Sequence, residues 1–414
     1  MRRLKVLLPG VLAIAALVGA GCGGSDNNGG GGSGGSKSAI KVGASLPLTG
    51  DFSEPGKAAK QGYQVWQAVV NDNGGLLDGR KVQMVIKDDA SNQNTIVADY
   101  NALISKDKVN LLLGTFSSLL NLPASSVAER NRMLYVEPAG GAPDMFNRGF
   151  THLFFAQQAT ADHQGDVFAQ YVKSLPPNER PKTAAYPTLD DPFAQPTSEG
   201  IETILKAAGI KTVYRKTYTI DQKNMDSIAN SVKASGADLV VNGATFEDGV
   251  AFVRALLKTG YKPKMLYQTT APSLGDQYAK AIGKNNTEGV FYGVSHSVKA
   301  KTPGNQQFVA KYKQMFGGTE VPEDAADAYA AAQVLQAAVK AVGSIDDQAK
   351  LADWLHNNKV DTVLGPLSWD DKGRPQGQFL VGQWQKGVPE IVLPQAAATV
   401  SGPEPSWSPG GSGT

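Results

Sequence analysis

The sequence has little of what metal sites, disulfide scaffolds and nucleic-acid surfaces require. Cysteine occurs once, at Cys22, and histidine occurs four times in 414 residues. One cysteine cannot form an internal disulfide, and the scattered histidines show no zinc-ligand spacing. Lysine and arginine total 40 against 38 aspartates and glutamates, so no strong field attracts nucleic acid. We therefore expect no metal site and no nucleic-acid partner.

Motifs for phosphate-bearing cofactors are missing as well. No GxGxxG opens a predicted helix, and no GxxxxGK[ST] occurs, so we expect no nucleotide cofactor. Asp88 and Asp89 are adjacent, but no third ligand follows at a metal-binding spacing. Aspartates at a strand end more often cap the next turn. The sequence thus predicts a protein without a cofactor.

The first 21 residues have the composition of a signal peptide. MRRLK carries positive charge, and LLPGVLAIAALVGA follows with only apolar or small residues and proline. This run is too short to span a membrane comfortably, and Pro9 and Gly10 interrupt it. VGAGC then resembles a bacterial lipobox, although Gly19 stands where leucine is usual. The resemblance implies that Cys22 is lipidated and becomes the mature N-terminus.

Both ends of the chain beyond this point predict flexible segments. Residues 23–38 contain no apolar side chain, so 22–38 has nothing to bury and predicts a Gly/Ser tether. The sequence from 398 to 414 is rich in proline, glycine and serine and predicts a disordered tail. The folded body is expected between them.

Within the body, short β-like runs alternate with helical patterns. Residues 40–46 predict a strand, and residues 56–72 carry apolar side chains at helical spacing. The alternation continues to residue 138, restarts at residue 180 and runs on to residue 270. This order implies parallel sheets with helices on both faces. We predict an α/β protein made of two doubly wound units.

The stretch LLLGTFSS, residues 111–118, raises the question of catalysis. A nucleophile elbow needs Gly-x-Ser-x-Gly, but Leu119, Leu120 and Asn121 follow the serines. None of the histidines follows an obvious predicted strand end to act as a base. Two interpretations remain: the small loop binds an anion such as a carboxylate through backbone N–H groups and hydroxyls, or a serine merely caps the next helix.

YVEPAGGAP, residues 135–143, repeats this pattern at the next predicted strand end. Ala139, Gly140 and Gly141 have almost no side chain, so backbone there can approach a ligand closely. A tight turn between strand and helix is the alternative interpretation. Two such loops on neighbouring strands favour a binding crevice.

Four runs together carry a family resemblance: SLPLTG (45–50), DKVNLLLGTFSS (107–118), DDPFAQPTSEGI (190–201) and TVLGPLSWDDKGRPQG (362–377). They resemble the branched-chain-amino-acid-type solute-binding proteins of ABC importers, which are type I periplasmic binding proteins. The likeness covers essentially the whole body. It implies two Rossmann-like lobes joined by three crossovers, with the ligand held between the lobes.

The resemblance also implies lobe boundaries. The N-lobe would comprise residues 39–157 and 296–366, and the C-lobe residues 158–295 and 367–397. The third crossover would lie at Gly365-Pro366-Leu367.

The same resemblance implies the ligand-binding positions. They are Ser117, Ser118, Ala139, Gly140, Gly141, Phe52, Phe193, Thr245, Phe246, Thr269 and Thr270. The serines would hold a carboxylate, and Gly141 stands where amino-acid binders have a threonine. Phe193 and Phe246 are also explained as core residues, an alternative that the sequence leaves open.

One departure bears on the ligand. Amino-acid binders of this family place an acid at the strand end that here reads Gln268-Thr269-Thr270. A desolvated ammonium without a counter-charge is costly, and Glu247 and Asp248 nearby could simply serve a helix start. An amino acid, a carboxylate with an apolar or aromatic tail, and an amide all stay open.

The sequence therefore predicts a monomeric, membrane-anchored, extracytoplasmic solute-binding lipoprotein. It would act on a small molecule and deliver it to an ABC permease and ATPase complex, without being an enzyme. A ligand sensor of the same fold is the alternative, and a secreted hydrolase using Ser117 or Ser118 is a third, poorer one.

Overall fold

The computed structural model describes residues 38–410. The predicted signal peptide at 1–21, the lipidated Cys22, the tether up to residue 37 and residues 411–414 lie outside the described residues. Within 38–410, no helix is both long and apolar enough to cross a membrane.

The first third of the described chain builds a parallel sheet in the order β2-β1-β3-β4-β5. Its strands are Ile40–Leu46 (β1), Val82–Asp88 (β2), Leu111–Leu113 (β3), Tyr135–Glu137 (β4) and Leu153–Phe155 (β5).

A second, mixed sheet has the order β14-β13-β10-β9-β8-β6-β7. The strands from β6 to β10 are parallel, and β13 and β14 run antiparallel at one edge. Its strands are Thr183–Leu189 (β6), Lys211–Tyr218 (β7), Leu239–Asn242 (β8), Met265–Gln268 (β9), Phe291–Val294 (β10), Leu380–Gln385 (β13) and Val388–Leu393 (β14). Between β10 and β13, the short antiparallel pair Val360–Thr362 (β11) and Gly365–Leu367 (β12) lies apart from both sheets.

Helices connect the strands. The α-helices of residues 38–410 are Ser53–Asp72 (α1), Gln93–Ser105 (α2), Ser118–Arg130 (α3), Asp166–Ser174 (α4), Ala194–Ala207 (α5), Asp226–Ser235 (α6), Phe246–Thr259 (α7), Asp276–Ile282 (α8), Asn305–Phe316 (α9), Glu323–Val342 (α10) and Gln348–Asn357 (α11).

Both faces of each sheet are buried, as expected for doubly wound units. In β3, Leu111 and Leu113 pack in the core cluster that contains α1 and α10, whereas Leu112 packs with α2 and α3 on the other face. In β8, Val240 and Val241 face different clusters in the same way. The run of three leucines therefore reflects burial on two sides rather than an alternating strand.

Helix α10 packs very closely against α1. A methyl group added at Gly62 would lie 2.1 Å from the carbonyl oxygen of Ala325, so only glycine permits this approach. The indole Nε1 of Trp66 also donates to Oε1 of Gln336 at 2.8 Å. These two contacts, one in the first turn of α10 and one further along it, fix α10 against α1.

The chain passes between the two sheet regions after β5, after β10 and after β12. Gln158 lies in the first connection, and its Nε2 donates to the carbonyl oxygens of Ser295 at 3.1 Å and Leu364 at 3.2 Å. One side chain thereby links the first two connections to the β11–β12 turn, which precedes the third. The lobe boundaries 39–157 with 296–366 and 158–295 with 367–397 stay a prediction.

The expected disorder of 398–414 does not hold for residues 398–410. Trp407 is buried in the core of the second unit. Its indole Nε1 donates to the carbonyl oxygen of Asn286 at 3.1 Å, and its backbone N–H donates to the carbonyl oxygen of Lys264 at 2.9 Å. The high proline, glycine and serine content of this segment led to the prediction of disorder, but the single large side chain of Trp407 anchors the segment to the core.

Replacing Trp407 with alanine removes this anchor, so we expect Trp407→Ala to lower the free energy of unfolding by about 3 kcal/mol. Urea denaturation followed by circular dichroism measures the change. Met315→Ala, at a side chain that is 39% exposed, is the matched control and should have little effect. Equal midpoints for Trp407→Ala and the unmutated protein would contradict the docked segment.

Candidate functional site

A cleft lies where the carboxyl ends of strands from both sheets meet, and it encloses about 510 Å³ of space, part of it open to solvent. Its lining residues follow β3, β4, β5, β6, β8 and β9 or begin α10. They are Phe116, Ser117, Ala139, Gln157, Gln164, Asp191, Phe193, Ala244, Thr245, Thr269, Thr270, Ser273, Glu323, Asp324 and Asp327.

The two serines of LLLGTFSS have different positions. Ser117 lines the cleft, and its Oγ is buried without a hydrogen-bond partner. It precedes α3 but its side chain does not cap that helix, so the capping interpretation fails here. Ser118 lies behind it, fully buried, where its Oγ accepts the N–H of Ala142 at 3.1 Å.

The second small-residue loop contributes one lining residue. Ala139 lines the cleft, and its N–H donates to Oε2 of Glu137 at 2.9 Å. A Cβ at Gly140 would lie 2.7 Å from the Glu137 carboxylate, and one at Gly141 would lie 2.9 Å from the ring of Phe155. Neither glycine is among the lining residues, because each packs against protein instead.

Of the three phenylalanines predicted to contact the ligand, one lines the cleft and two do not. Phe193 lines the cleft. Phe52 is buried against Phe116 in an edge-to-face contact with ring centroids 5.7 Å apart, and Phe116 is the residue that lines the cleft. Phe246 belongs to the core of the second unit, as the alternative interpretation held.

The three predicted threonines all line the cleft. Thr269 uses its hydroxyl to join strand ends, since Oγ1 donates to the Ala244 carbonyl at 2.6 Å. Thr245 and Asp248 form a capping box at the start of α7. Asp248 therefore serves a helix start, which removes it as a counter-charge for a ligand in the cleft.

The sequence reasoning missed a set of acids at the first turn of α10. Glu323, Asp324 and Asp327 lie at positions i, i+1 and i+4 and all line the cleft. The signal was PEDAAD, a proline followed by three acids within the first five residues of a long alanine-rich helix. Acids at a helix start are common, and only their burial distinguishes these.

Two of these acids already accept hydrogen bonds from other residues of the protein. Asp327 accepts from the Ser295 hydroxyl through Oδ1 and from Nε2 of Gln157 through Oδ2, each at 2.5 Å. Glu323 accepts the backbone N–H of Ser295. Asp324 differs, because its Oδ2 is buried without a partner.

Asp191 supplies a fourth carboxyl group from the loop after β6. Its Oδ1 caps the start of α5 by accepting the N–H groups of Phe193 at 2.8 Å and Ala194 at 3.0 Å. Its Oδ2 is buried without a partner. This aspartate stands inside DDPFAQ, the run from which only Phe193 was predicted.

Burial shifts the ionisation of all four acids. It raises the pKa of Asp191 to about 6 and raises the pKa of Glu323. Burial also raises the pKa values of Asp324 and Asp327 well above the ordinary value for aspartate, and the negative charge of nearby Glu323 adds to this effect. No lysine, arginine or histidine is among the described residues that line the cleft, so no basic group offsets these charges.

The described residues provide no support for the interpretation of Ser117 or Ser118 as a catalytic nucleophile. His296 does follow a strand end, two residues after β10, which corrects the expectation for the histidines. Its Nε2 contacts Oδ1 of Asn305 at 2.7 Å, and burial lowers its pKa to about 4. It does not line the cleft with Ser117, whose Oγ contacts no base.

The strand-end aspartates Asp88 and Asp89 cap turns, as expected. Asp88 accepts the N–H of Ala90 and Asp89 that of Ser91, both at 2.9 Å. Among residues 38–410, no group of three or more His, Cys, Asp or Glu side chains is arranged to hold a metal ion.

The raised pKa of Asp191 makes ligand-free stability depend on pH. The folded state binds this proton more tightly than the unfolded state, so stability falls as pH rises from about 4 through about 6. We expect Asp191→Asn, which keeps one oxygen for the helix cap, to stabilise the ligand-free protein by about 1–3 kcal/mol at pH 8. The gain should vanish near pH 4.

Urea midpoints at pH 4 and pH 8 measure this difference. Asp353→Asn, on the exposed face of α11, is the control and should shift neither midpoint. An Asp191→Asn effect that is the same at both pH values would contradict the buried, raised carboxyl group.

Comparison with known proteins places these features in a family. A model of the family described as periplasmic binding protein matches residues 39–389. A Leu/Ile/Val-binding protein homolog from Brucella melitensis is 26% identical over 352 residues, which cover 84% of this chain and 92% of that protein. An amino acid binding protein from Pseudomonas aeruginosa is 26% identical over 347 residues, covering 83% and 90%.

Solved structures share the fold. A leucine binding protein from Thermotoga maritima superimposes with a TM-score of 0.75 at 20% identity, covering 85% of this chain and 97% of that one. A solute binding protein from R. palustris in complex with benzoate gives 0.75 at 20% identity, covering 89% and 99%. The family resemblance inferred from the sequence is confirmed: this chain belongs to the periplasmic binding protein family and has its type I fold.

Proposed function

We propose that the protein is an extracytoplasmic solute-binding lipoprotein that delivers a small solute to an ABC importer by closing one lobe over the other. The observation that carries this proposal is the cleft itself. Its lining comes from strand ends of both sheets, where parallel α/β sheets bind ligands. Relatives described as amino acid and Leu/Ile/Val-binding proteins support it.

The connections between the sheets suit hinge closure. Ligand-induced closure uses a few connecting residues that absorb the change in backbone angles, and here Gln158 joins the connections after β5 and β10 to the β11–β12 turn. At the rim, Nζ of Lys223 lies 2.8 Å from Oδ1 of Asp51. This exposed pair joins a loop after β1 to one after β7 and contributes at most about 1 kcal/mol.

The solute is an amino acid, an aromatic or aliphatic carboxylate, or an amide. Phe116 and Phe193 provide apolar surface, while Ser117 and the threonines provide hydroxyls. Neighbours of the same fold were solved with isoleucine, leucine or benzoate, which shows that the fold accepts ligands with and without an amino group.

Uptake in cells tests delivery. Native mass spectrometry of the purified protein and thermal-shift screening identify a bound solute, and a strain lacking the gene should then take up that solute more slowly. Reintroducing the gene should restore uptake. Failure of every amino acid, carboxylate and amide to stabilise the protein, or unchanged uptake in the deletion strain, would refute the proposal.

Membrane attachment through Cys22 is tested separately. We expect Cys22→Ser to abolish labelling by a radioactive fatty acid and to move the protein from the membrane fraction to the soluble fraction, because the acyl chains supply the anchoring energy. Ser25→Ala, in the same tether, is the control. Retention of Cys22→Ser in the membrane would mean that another element anchors the protein.

A further inference from the structure

The cleft has a chemical bias that its family membership does not specify. Asp191, Glu323, Asp324 and Asp327 all line it, and the lining residues include no lysine, arginine or histidine. Buried carboxylates need a partner charge or a full set of hydrogen bonds. The described protein supplies hydrogen bonds for Asp327 and Glu323 but leaves Oδ2 of Asp191 and Oδ2 of Asp324 without a partner.

The unsatisfied atoms of the cleft are all side-chain oxygens: one amide oxygen, which only accepts, two carboxyl oxygens, and one serine hydroxyl, which accepts and donates. Side-chain oxygens without a partner occur on Ser117 (Oγ), Gln164 (Oε1), Asp191 (Oδ2) and Asp324 (Oδ2). Each of these residues is at most 5% exposed and lines the cleft. Buried polar atoms are normally hydrogen-bonded, and ionised carboxylates can only accept. A cationic ligand that keeps Asp191 and Asp324 ionised therefore donates hydrogen bonds to them.

Two of the carboxyl groups are available for this role. Asp327 and Glu323 are held by Gln157 and Ser295. Asp324 begins α10, which packs on the first sheet through α1, whereas Asp191 follows β6 of the second sheet. A ligand group that contacted both would connect the two sheets.

The donor is an organic group rather than a metal ion. No group of three or more acids, histidines or cysteines in residues 38–410 is arranged for a metal. An ammonium carries three N–H donors and one positive charge, and an amidinium carries a comparable set. Either would satisfy an aspartate oxygen and neutralise part of the local charge, and charge-assisted hydrogen bonds of this kind are about twice as strong as neutral ones.

A solute that carries only a carboxylate is poorly matched. The start of α3 at Ser117 offers it a helix N-terminus, but it would add negative charge to a cleft that already contains four acids. A zwitterion can use both ends. The absence of an acid at Thr269-Thr270 therefore does not argue against an ammonium, since the acids come from other elements.

We propose, on the basis of the function proposed above, that the solute carries a protonated nitrogen group, an ammonium or an amidinium, which binds Asp324 and Asp191. The group contacts Oδ2 of each aspartate from within the cleft. An apolar remainder of the solute lies against Phe116 and Phe193. Simple carboxylates and neutral amides bind weakly or not at all.

Matched ligand series test this inference by thermal shift and calorimetry. One series contains phenylalanine, phenethylamine, 3-phenylpropanoate and 3-phenylpropanamide, and a second contains leucine, 3-methylbutylamine, 4-methylpentanoate and 4-methylpentanamide. A broader set of amino acids, amines, amidines, carboxylates and amides covers other skeletons. We expect stabilisation only by solutes with a protonated nitrogen.

Three variants accompany these ligands. Asp324→Asn and Asp191→Asn should each reduce the affinity for the stabilising solute by roughly tenfold or more, because a buried charge pair is lost. Asp353→Asn, far along the chain on exposed α11, should bind like the unmutated protein. Circular dichroism confirms that each variant is folded.

The outcomes separate this inference from the function on which it rests. Tight binding of a carboxylate or a neutral amide, unaffected by Asp324→Asn and Asp191→Asn, overturns the inference and leaves the solute-binding function standing. Binding of a nitrogen cation that neither variant weakens also overturns it. If no solute of any class stabilises the protein, the proposed function fails, and the inference fails with it.

Discussion

Asp327 joins the start of α10 to the segments that leave both sheets. Its two oxygens accept from Gln157, which follows β5, and from Ser295, which follows β10. Gln158 extends the same network to the β11–β12 turn. This buried carboxyl group also lines the cleft. The ligand site and the connections between the sheets therefore share one polar network.

The position of this network depends on backbone packing that has no polar component. Gly62 lets α1 approach the Ala325 carbonyl, which brings Asp324 and Asp327 into the cleft beside the ends of β3, β4 and β5. A larger residue at position 62 would displace the first turn of α10. Binding-site geometry here is thus determined by a helix–helix contact in the core as well as by the loops that line the cleft.

The sequence predicted the doubly wound α/β units and the loops after β3, β4, β6, β8 and β9, because strand ends of parallel sheets converge in space. It placed Ser117, Ala139, Phe193, Thr245, Thr269 and Thr270 where they line the cleft. It could not distinguish Gly140 and Gly141, which pack against Glu137 and Phe155, from backbone that faces a ligand. The acids of PEDAAD were not predicted as cleft residues, because acids at a helix start are usually exposed to solvent. Only the tertiary packing of α10 buries these.

The central claim is that buried acceptors in the cleft require a cationic ligand. The most direct measurement is a crystal structure of the protein with its native solute bound. We predict a ligand nitrogen at about 2.7–2.9 Å from Oδ2 of Asp324, with the apolar part of the solute against Phe116 and Phe193. A solute whose carboxylate faces α10, or one bound without contact to either Asp324 or Asp191, would contradict this account.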